Sequence, residues 1–299
     1  MVGWCGGGVM NEKTKELLTR KESTRYPGLF VKKYTRKVFY DNLWHENDEL
    51  LEARGHVELA GGSVVVRPFT KIFNRGENGT DIDLDETVLA IRKVNGFMAC
   101  ATYVPEVGEV VVSTTGSLDS DFVKMAEEYI TEEVKNIIYE CWLAGPNLTY
   151  IFEIVHPDDP HIITEKHGAY LLGARPVWDD VQYMTGVEHE TFLDTFAEEQ
   201  GMWRPEWKVC KFHEIVEEAK TCKHEGFVVY GKDTALKIKS PYYLCLKAAA
   251  RKKDIMNLNK QIVDEEFYPL IKHLTENQES FNMLNEQERL DFMRAFLEK

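Results

Sequence analysis

The stretch LAIRKVNGFMACATYV, Leu89 to Val104, carries two signals at once. Its apolar runs on either side of Asn95-Gly96 predict a β-hairpin, because both central positions of a type I′ turn need φ > 0 and Asn-Gly tolerates that conformation. The same residues spell K-x-x-G, Lys93-Val94-Asn95-Gly96, in which a lysine amine can attack a nucleotide phosphate. The tetrapeptide alone has little weight. Glycine makes up about 7% of residues in proteins generally, so a lysine-rich chain meets the pattern by accident. Lys223-His224-Glu225-Gly226 is a second match, and it too leads into a strand-like run. What surrounds each lysine must decide between them.

Working outward, ARGHVELAGGSVVVRPF from Ala53 reads as two β-prone runs around Gly61-Gly62, and GEVVVSTTG follows the opening stretch, which predicts a meander of antiparallel hairpins. Asp119 to Trp142 places Phe122, Ala126, Tyr129, Ile130, Ile137, Ile138 and Cys141 at helical spacing behind a Ser/Asp-rich start, so one amphipathic helix is expected there. LTYIFEIVHP reads as a buried strand stopped by Pro157, Phe192–Glu199 and Phe212–Lys220 as short helices, and EGFVVYGKDTALKIKS as a hairpin turning near Gly231-Lys232-Asp233. From Tyr242 to Lys299 the pattern is helical, with breaks near Pro269 and Asn277. The first two dozen residues, with Gly6-Gly7-Gly8 followed by polar sequence, read as a loose or peripheral N-terminus.

The chain has 299 residues, 43% hydrophobic and 29% charged, enough for a sizeable core. A formal net charge of −14 argues against blanket binding of nucleic acid but leaves room for a local basic surface. Such a segment exists: between Arg20 and Lys37 stand Arg20, Lys21, Arg25, Lys32, Lys33, Arg36 and Lys37 against Glu22 alone. The six cysteines form no CxxC pair, and no apolar run of membrane-spanning length or signal peptide is present, so a cytoplasmic protein without a membrane partner is expected. Cys210, His213, Cys222 and His224 match no usual zinc spacing.

Lys93 has the better surroundings. Downstream of it come Glu153 within YIFEIVHP, Glu225 before FVV, and Lys237 and Lys239 in LKIKS, two apart and therefore on one strand face. Upstream are Arg54 in EARGHVEL and Lys71 in RPFTKIFNRGE. For Lys223 only the helical tail would remain to supply such partners.

This ordered set, from about Phe39 to Tyr243, resembles the covalent nucleotidyltransferase superfamily, and RPFTKIFNRGE with TTGSLDSDF resembles its phage-type (type 1) ATP-dependent RNA ligases. The resemblance implies an α+β fold: a nucleotidyltransferase (adenylation) domain of antiparallel sheets with flanking helices over residues 1–243, and a short helical C-terminal region over 244–299. It implies an RNA ligase using ATP and Mg²⁺ (or Mn²⁺) to seal RNA 5′-phosphate and 3′-hydroxyl ends, as in RNA or tRNA repair, working as a monomer. Lys93 would be the nucleophile that carries AMP, with Lys237 and Lys239 lowering its pKa and binding the α-phosphate. Arg54 and Lys71 would orient the β- and γ-phosphates, Gly96 would allow close backbone approach, Glu153 would bind ribose or a metal-bound water, and Glu225 would help hold the metal. The 60 residues after Lys239 read as helical, with no β-rich OB domain, and no P-loop kinase motif is present.

Two positions depart from the family pattern. Asn95 stands where K-x-D-G has aspartate, which keeps size and turn preference but removes a charge, and Thr114-Thr115 precede Gly116-Ser117 where relatives often carry lysine. A related nucleotidyltransferase using another nucleotide or acceptor, such as a guanylyltransferase, or a nucleic-acid-binding homologue without turnover, fits the same residues.

Overall fold

The computed structural model describes residues 16–178, 181, 183–251 and 267–297, and the first 15 residues of the expected loose N-terminus lie outside these. In chain order the strands are β1 (Leu18–Glu22), β2 (Leu29–Tyr34), β3 (Arg54–Leu59), β4 (Val64–Val66), β5 (Phe73–Asn74), β6 (Thr87–Arg92), β7 (Phe97–Val104), β8 (Glu109–Thr114), β9 (Leu148–Val155), β10 (Gly168–Pro176), β11 (Trp207–Lys211), β12 (Gly226–Tyr230) and β13 (Ala235–Lys239). The chain forms two compact units that interleave in sequence. One comprises residues 1–71, 98–154 and 171–184, and the other residues 72–97, 155–170 and 185–299.

The first unit contains two four-stranded sheets, ordered β1-β2-β3-β4 and β10-β9-β7-β8. Valines and leucines of the first sheet (Leu29, Val31, Val57, Val65, Val66) pack against Cys100, Val104, Val111 and Ile151 of the second. β9 lies between β10 and β7 with all eight residues buried, which accounts for its nearly continuous apolar sequence. In place of the single helix expected from Asp119 there are two, Asp121–Glu127 and Glu132–Ala144. Between them Thr131 is extended (φ −68°, ψ 171°), and Glu132 and Glu133 then open the second helix where its dipole favours negative charge. Leu18–Glu22, read from sequence as part of the loose terminus, is a strand paired with β2.

The second unit is built on a five-stranded sheet ordered β11-β6-β12-β13-β5, antiparallel except for the β13–β5 pair. Its β12–β13 hairpin closes through Gly231 N–H donating to the Thr234 carbonyl at 2.8 Å, where a turn is expected. The helix Phe212–Thr221 buries Phe212, Ile215 and Ala219, spaced three and four apart, against Val88, Ala90, Phe227, Val229 and Leu236 of the sheet. The helices Pro241–Arg251, Tyr268–Glu276, Gln278–Met283 and Glu286–Leu297 form a further core with Ile162 and Ile163, around Leu246, Leu270, Leu274, Phe281, Leu290 and Met293. Pro269 sits in the first turn of its helix, where the missing N–H costs nothing, so it starts a helix and does not break one. Buried Arg289 donates to the carbonyls of Phe281, Ala250 and Asn282 and so ties three of these helices together.

One sequence expectation fails where β6 ends. Asn95-Gly96 is not a hairpin turn: neither residue has positive φ, β6 pairs with β11 and β12, and β7 pairs with β8 and β9. The chain crosses from one sheet to another at this point. The reason is partner choice. Each side of β6 is already occupied, so β7 cannot fold back onto it.

Gly226 is the tightest position in the five-stranded sheet. Its φ is +130°, and a Cβ there would lie 2.0 Å from the Ile238 carbonyl oxygen. Gly226→Ala is expected to destabilise the protein by roughly 3 kcal/mol in urea unfolding. Gly61→Ala, whose Cβ would meet nothing within 4 Å, is expected to change it by less than about 0.5 kcal/mol.

Candidate active site

Strand order decides which side chains meet in the second unit. Because β12 lies between β6 and β13 and is antiparallel to both, its start faces the ends of its two neighbours. Arg92 pairs with Phe227 and Lys239 with Gly226, and Lys93 N–H extends the ladder by donating to the Gly226 carbonyl at 2.8 Å. Lys93, Glu225 and Lys239 are thereby brought to one corner of the sheet.

Glu225 is the centre of this corner. Its side chain is 3% exposed, yet it carries a full set of partners. Oε2 accepts from Lys93 Nζ at 2.9 Å and from Asn95 Nδ2 at 2.8 Å, while Oε1 lies 3.7 Å from Lys239 Nζ. A carboxylate removed from water is tolerable only when so compensated. The second K-x-x-G match thus supplies the carboxylate that holds the first lysine, and Lys223 itself is exposed.

Asn95 is buried and uses both ends of its amide. Its Nδ2 donates to Glu225, and its Oδ1 accepts the Ile163 N–H at 2.9 Å. Only this orientation of the amide satisfies both neighbours. Sequence reading singles Asn95 out as a missing charge and misses this second role, because the partners lie 130 and 68 residues away in the chain.

Burial pushes the pKa of Lys239 below its ordinary value, the Lys247 and Lys93 cations push it further in that direction, and Glu225 opposes them. Lys239 Nζ also lies 5.4 Å from the Tyr243 ring centre, as does Lys247 Nζ, which sequence reading did not single out. Lys237 occupies the same strand face two residues earlier, and its carbonyl accepts the Arg75 N–H at 2.9 Å. Gly96 follows Asn95 directly before β7.

The remaining sequence candidates stand in the first unit. Glu153 is a buried carboxylate in β9, 8% exposed amid apolar neighbours. Arg54 opens β3 opposite Lys33 of β2, and Lys71 places its ammonium 5.0 Å from the Trp44 ring centre. Among the described residues no group of three or more His, Cys, Asp or Glu side chains forms a metal cluster, and Cys222 with His224 makes only a 3.9 Å contact. No described helix is long and apolar enough to cross a membrane.

The Asn95 geometry fixes the effect of restoring the family's aspartate. Asn95→Asp keeps the acceptor for Ile163 N–H but sets a carboxylate against Glu225, which raises the pKa of one of the pair. A raised folded-state carboxyl pKa costs stability as pH rises through it, so the variant is expected to lose about 1–3 kcal/mol at pH 8 and to recover as pH falls towards 5. Thermal melts of both proteins across that range measure this.

The family model described as RNA ligase matches residues 45–243. No curated protein matches the sequence. Among solved structures, an archaeal ATP-dependent RNA ligase is similar at TM-score 0.54 and 15% identity, over 92% of this chain and 72% of that one. A putative ATP-dependent DNA ligase from Aquifex aeolicus is similar at TM-score 0.53 and 13% identity, over 94% and 74%. A Naegleria gruberi RNA ligase with pyrophosphate is 16% identical over 54% of this chain, at TM-score 0.42, and the chain spans about half (51%) of its length. The two broader likenesses show a shared mixed fold of antiparallel sheets with flanking helices. With the family model covering most of the chain, including every strand from β3 to β13, this protein belongs to the RNA ligase family.

Proposed function

We propose that the protein is an ATP-dependent RNA ligase that joins 5′-phosphate and 3′-hydroxyl RNA ends through an AMP adduct on Lys93. The observation that carries this reading is the corner of the five-stranded sheet, where half-buried Lys93 donates to a buried carboxylate at 2.9 Å and a second lysine lies 3.7 Å from the same group. Residues 1–243 are read as the nucleotidyltransferase domain, and residues 244–299 as a helical region that contributes to substrate choice.

In the first step Lys93 Nζ attacks the α-phosphorus of ATP, a P–N bond forms, and the bond to the departing pyrophosphate breaks. Covalent capture divides one difficult displacement into easier ones. The AMP then passes to the RNA 5′-phosphate, and the 3′-hydroxyl attacks that phosphate and expels AMP. Lys93 must be neutral to attack. Glu225 at 2.9 Å favours its ammonium, and Lys239 on the same carboxylate disfavours it. The resting pair therefore holds the nucleophile in place, and attack requires Lys93 to leave Glu225 and give up a proton. Lys237 and Lys239 are read as α-phosphate contacts, Arg54 and Lys71 as contacts to the departing pyrophosphate, and Gly96 as the point of close backbone approach.

Glu153 and Glu225 are read as the metal-binding carboxylates. Mg²⁺ suits this reading because it is commonly bound by one or two carboxylates together with substrate phosphates. The ion would neutralise developing charge on those phosphates.

Incubation with α-labelled ATP and Mg²⁺ followed by denaturing electrophoresis tests the nucleophile. The wild type and Lys223→Ala are expected to become labelled, and Lys93→Ala is expected to lose label by at least about 10³-fold. An unlabelled wild type, or label retained by Lys93→Ala, overturns the reading, and preference for GTP points to the other nucleotide. Lys239→Met removes a cation that opposes the Lys93 ammonium, so the pH–rate profile of adduct formation is expected to move to higher pH by roughly one unit.

A further inference from the structure

Within the first unit, an open pocket of about 570 Å³ lies over the β2–β3 pair and the loop after β8. That size is typical of a ligand site. Its lining includes Lys33, Arg36 and Arg54 together with Phe39 and Tyr40, and no acidic residue. Only Arg54 has a place in the reaction described above.

The local backbone builds this pocket. Lys32 pairs with His56 and Lys33 with Arg54, so Gly55 is an extra residue, a bulge that aims Lys33 and Arg54 to the same place. Gly55 has φ +84°, and a Cβ there would lie 2.8 Å from Thr115 Cα, so the bulge also lets β3 approach the Thr114-Thr115 backbone. Over that loop lies Lys33, whose Nζ would be 3.3 Å from a Cβ at Gly116. The loop that lacks a lysine of its own receives one from β2.

Charge separates this pocket from Arg20, Arg25 and Lys32 of the basic segment. Arg20 and Lys32 are neutralised by Glu58, Lys32 also by Glu49, and Arg25 by Glu127. Among the described residues no carboxylate pairs with Lys33, Arg36 or Arg54. Beside these cations, Phe39 and Tyr40 are 53% and 75% exposed, edge to face with ring centres 5.6 Å apart. Unneutralised cations recognise phosphate, and exposed aromatic faces recognise unpaired bases.

We propose that this pocket binds a single-stranded segment of the RNA substrate, with Lys33 and Arg36 on its phosphates and Phe39 and Tyr40 stacking on its bases. The proposal rests on the RNA ligase reading for the identity of the strand. The open form and the aromatic rim favour a continuous strand over the phosphates of a free nucleotide.

Anisotropy of a fluorescent single-stranded RNA, read over a salt series, tests it beside the lysyl-AMP assay. Lys33→Met and Arg36→Met are each expected to weaken RNA binding and to reduce the slope of log affinity against log salt by about one. Phe39→Ala with Tyr40→Ala is expected to weaken binding at least about tenfold with little change in that slope. Lysyl-AMP formation at saturating ATP is expected to be unchanged in all of them. Unchanged RNA affinity overturns the proposal, and so does an effect confined to the KM for ATP, which would make this a nucleotide site. Failure of the ligase reading appears separately, as a wild type that binds RNA but takes no AMP.

Discussion

Everything in the second unit that bears on chemistry depends on keeping one carboxylate out of water. Glu225 is almost wholly buried at the start of β12, and an ionised group there without compensation would cost several kcal/mol. The compensation comes from three directions: Lys93 at the end of β6, Lys239 at the end of β13, and Asn95 in the crossover that follows β6. Lys93 and Lys239 are fixed by backbone pairing to β12, and Asn95 follows Lys93 by two residues, so the sheet order and the satisfied carboxylate are two descriptions of one constraint. Gly226 belongs to the same arrangement. Its backbone conformation lets the strand enter against Ile238 closely enough for the next-door carboxylate to reach both lysines.

That constraint gives Asn95 a physical reading that absence of charge does not. An amide donates a hydrogen bond to Glu225 and so stabilises the carboxylate, but adds no second negative charge beside Lys93. The lysine ammonium shares the Glu225 counter-ion with Lys239. Neutral support for the carboxylate therefore leaves the attraction between Glu225 and the two lysines undisturbed by a second carboxylate at position 95. The Ile163 N–H extends the role, since the amide also anchors the segment bearing Ile162 and Ile163 to the site while those side chains enter the helical core.

Much of the fold was legible in the sequence. The buried run of β9, the hairpins around Gly61-Gly62 and Gly231, and the helical tail all follow from periodicity and turn chemistry. The Asn95-Gly96 hairpin did not, because a dipeptide signals that a turn is easy and says nothing about whether the neighbouring edge is free. The helix break before Glu132 was hidden for a similar reason: Ile130 continues the apolar spacing across it, and its burial is served equally by a bend. At the site, the alternation of Lys237 and Lys239 placed both on one face without any knowledge of partners. The Lys93–Glu225 pair needed the sheet order, which joins residues 132 positions apart.

The basic segment shows why a charge count could not be read as a surface. Lys32 and Lys33 are adjacent and chemically identical, yet strand alternation sends them to opposite faces. Lys32 meets Glu49 and Glu58 and is consumed in an ion-pair network, while Lys33 emerges beside Arg54 over the Thr115-Gly116 loop. In a chain with a formal charge of −14, the long-range field repels a polyanion, so whatever attraction exists must act at short range. Glu58 of the same sheet already holds Arg20 and Lys32, and the bulge at Gly55 gathers Lys33 and Arg54 where no acidic residue lines the wall. Backbone geometry, through one glycine and the parity of one strand, thus decides which positive charges are structural and which remain available to a ligand.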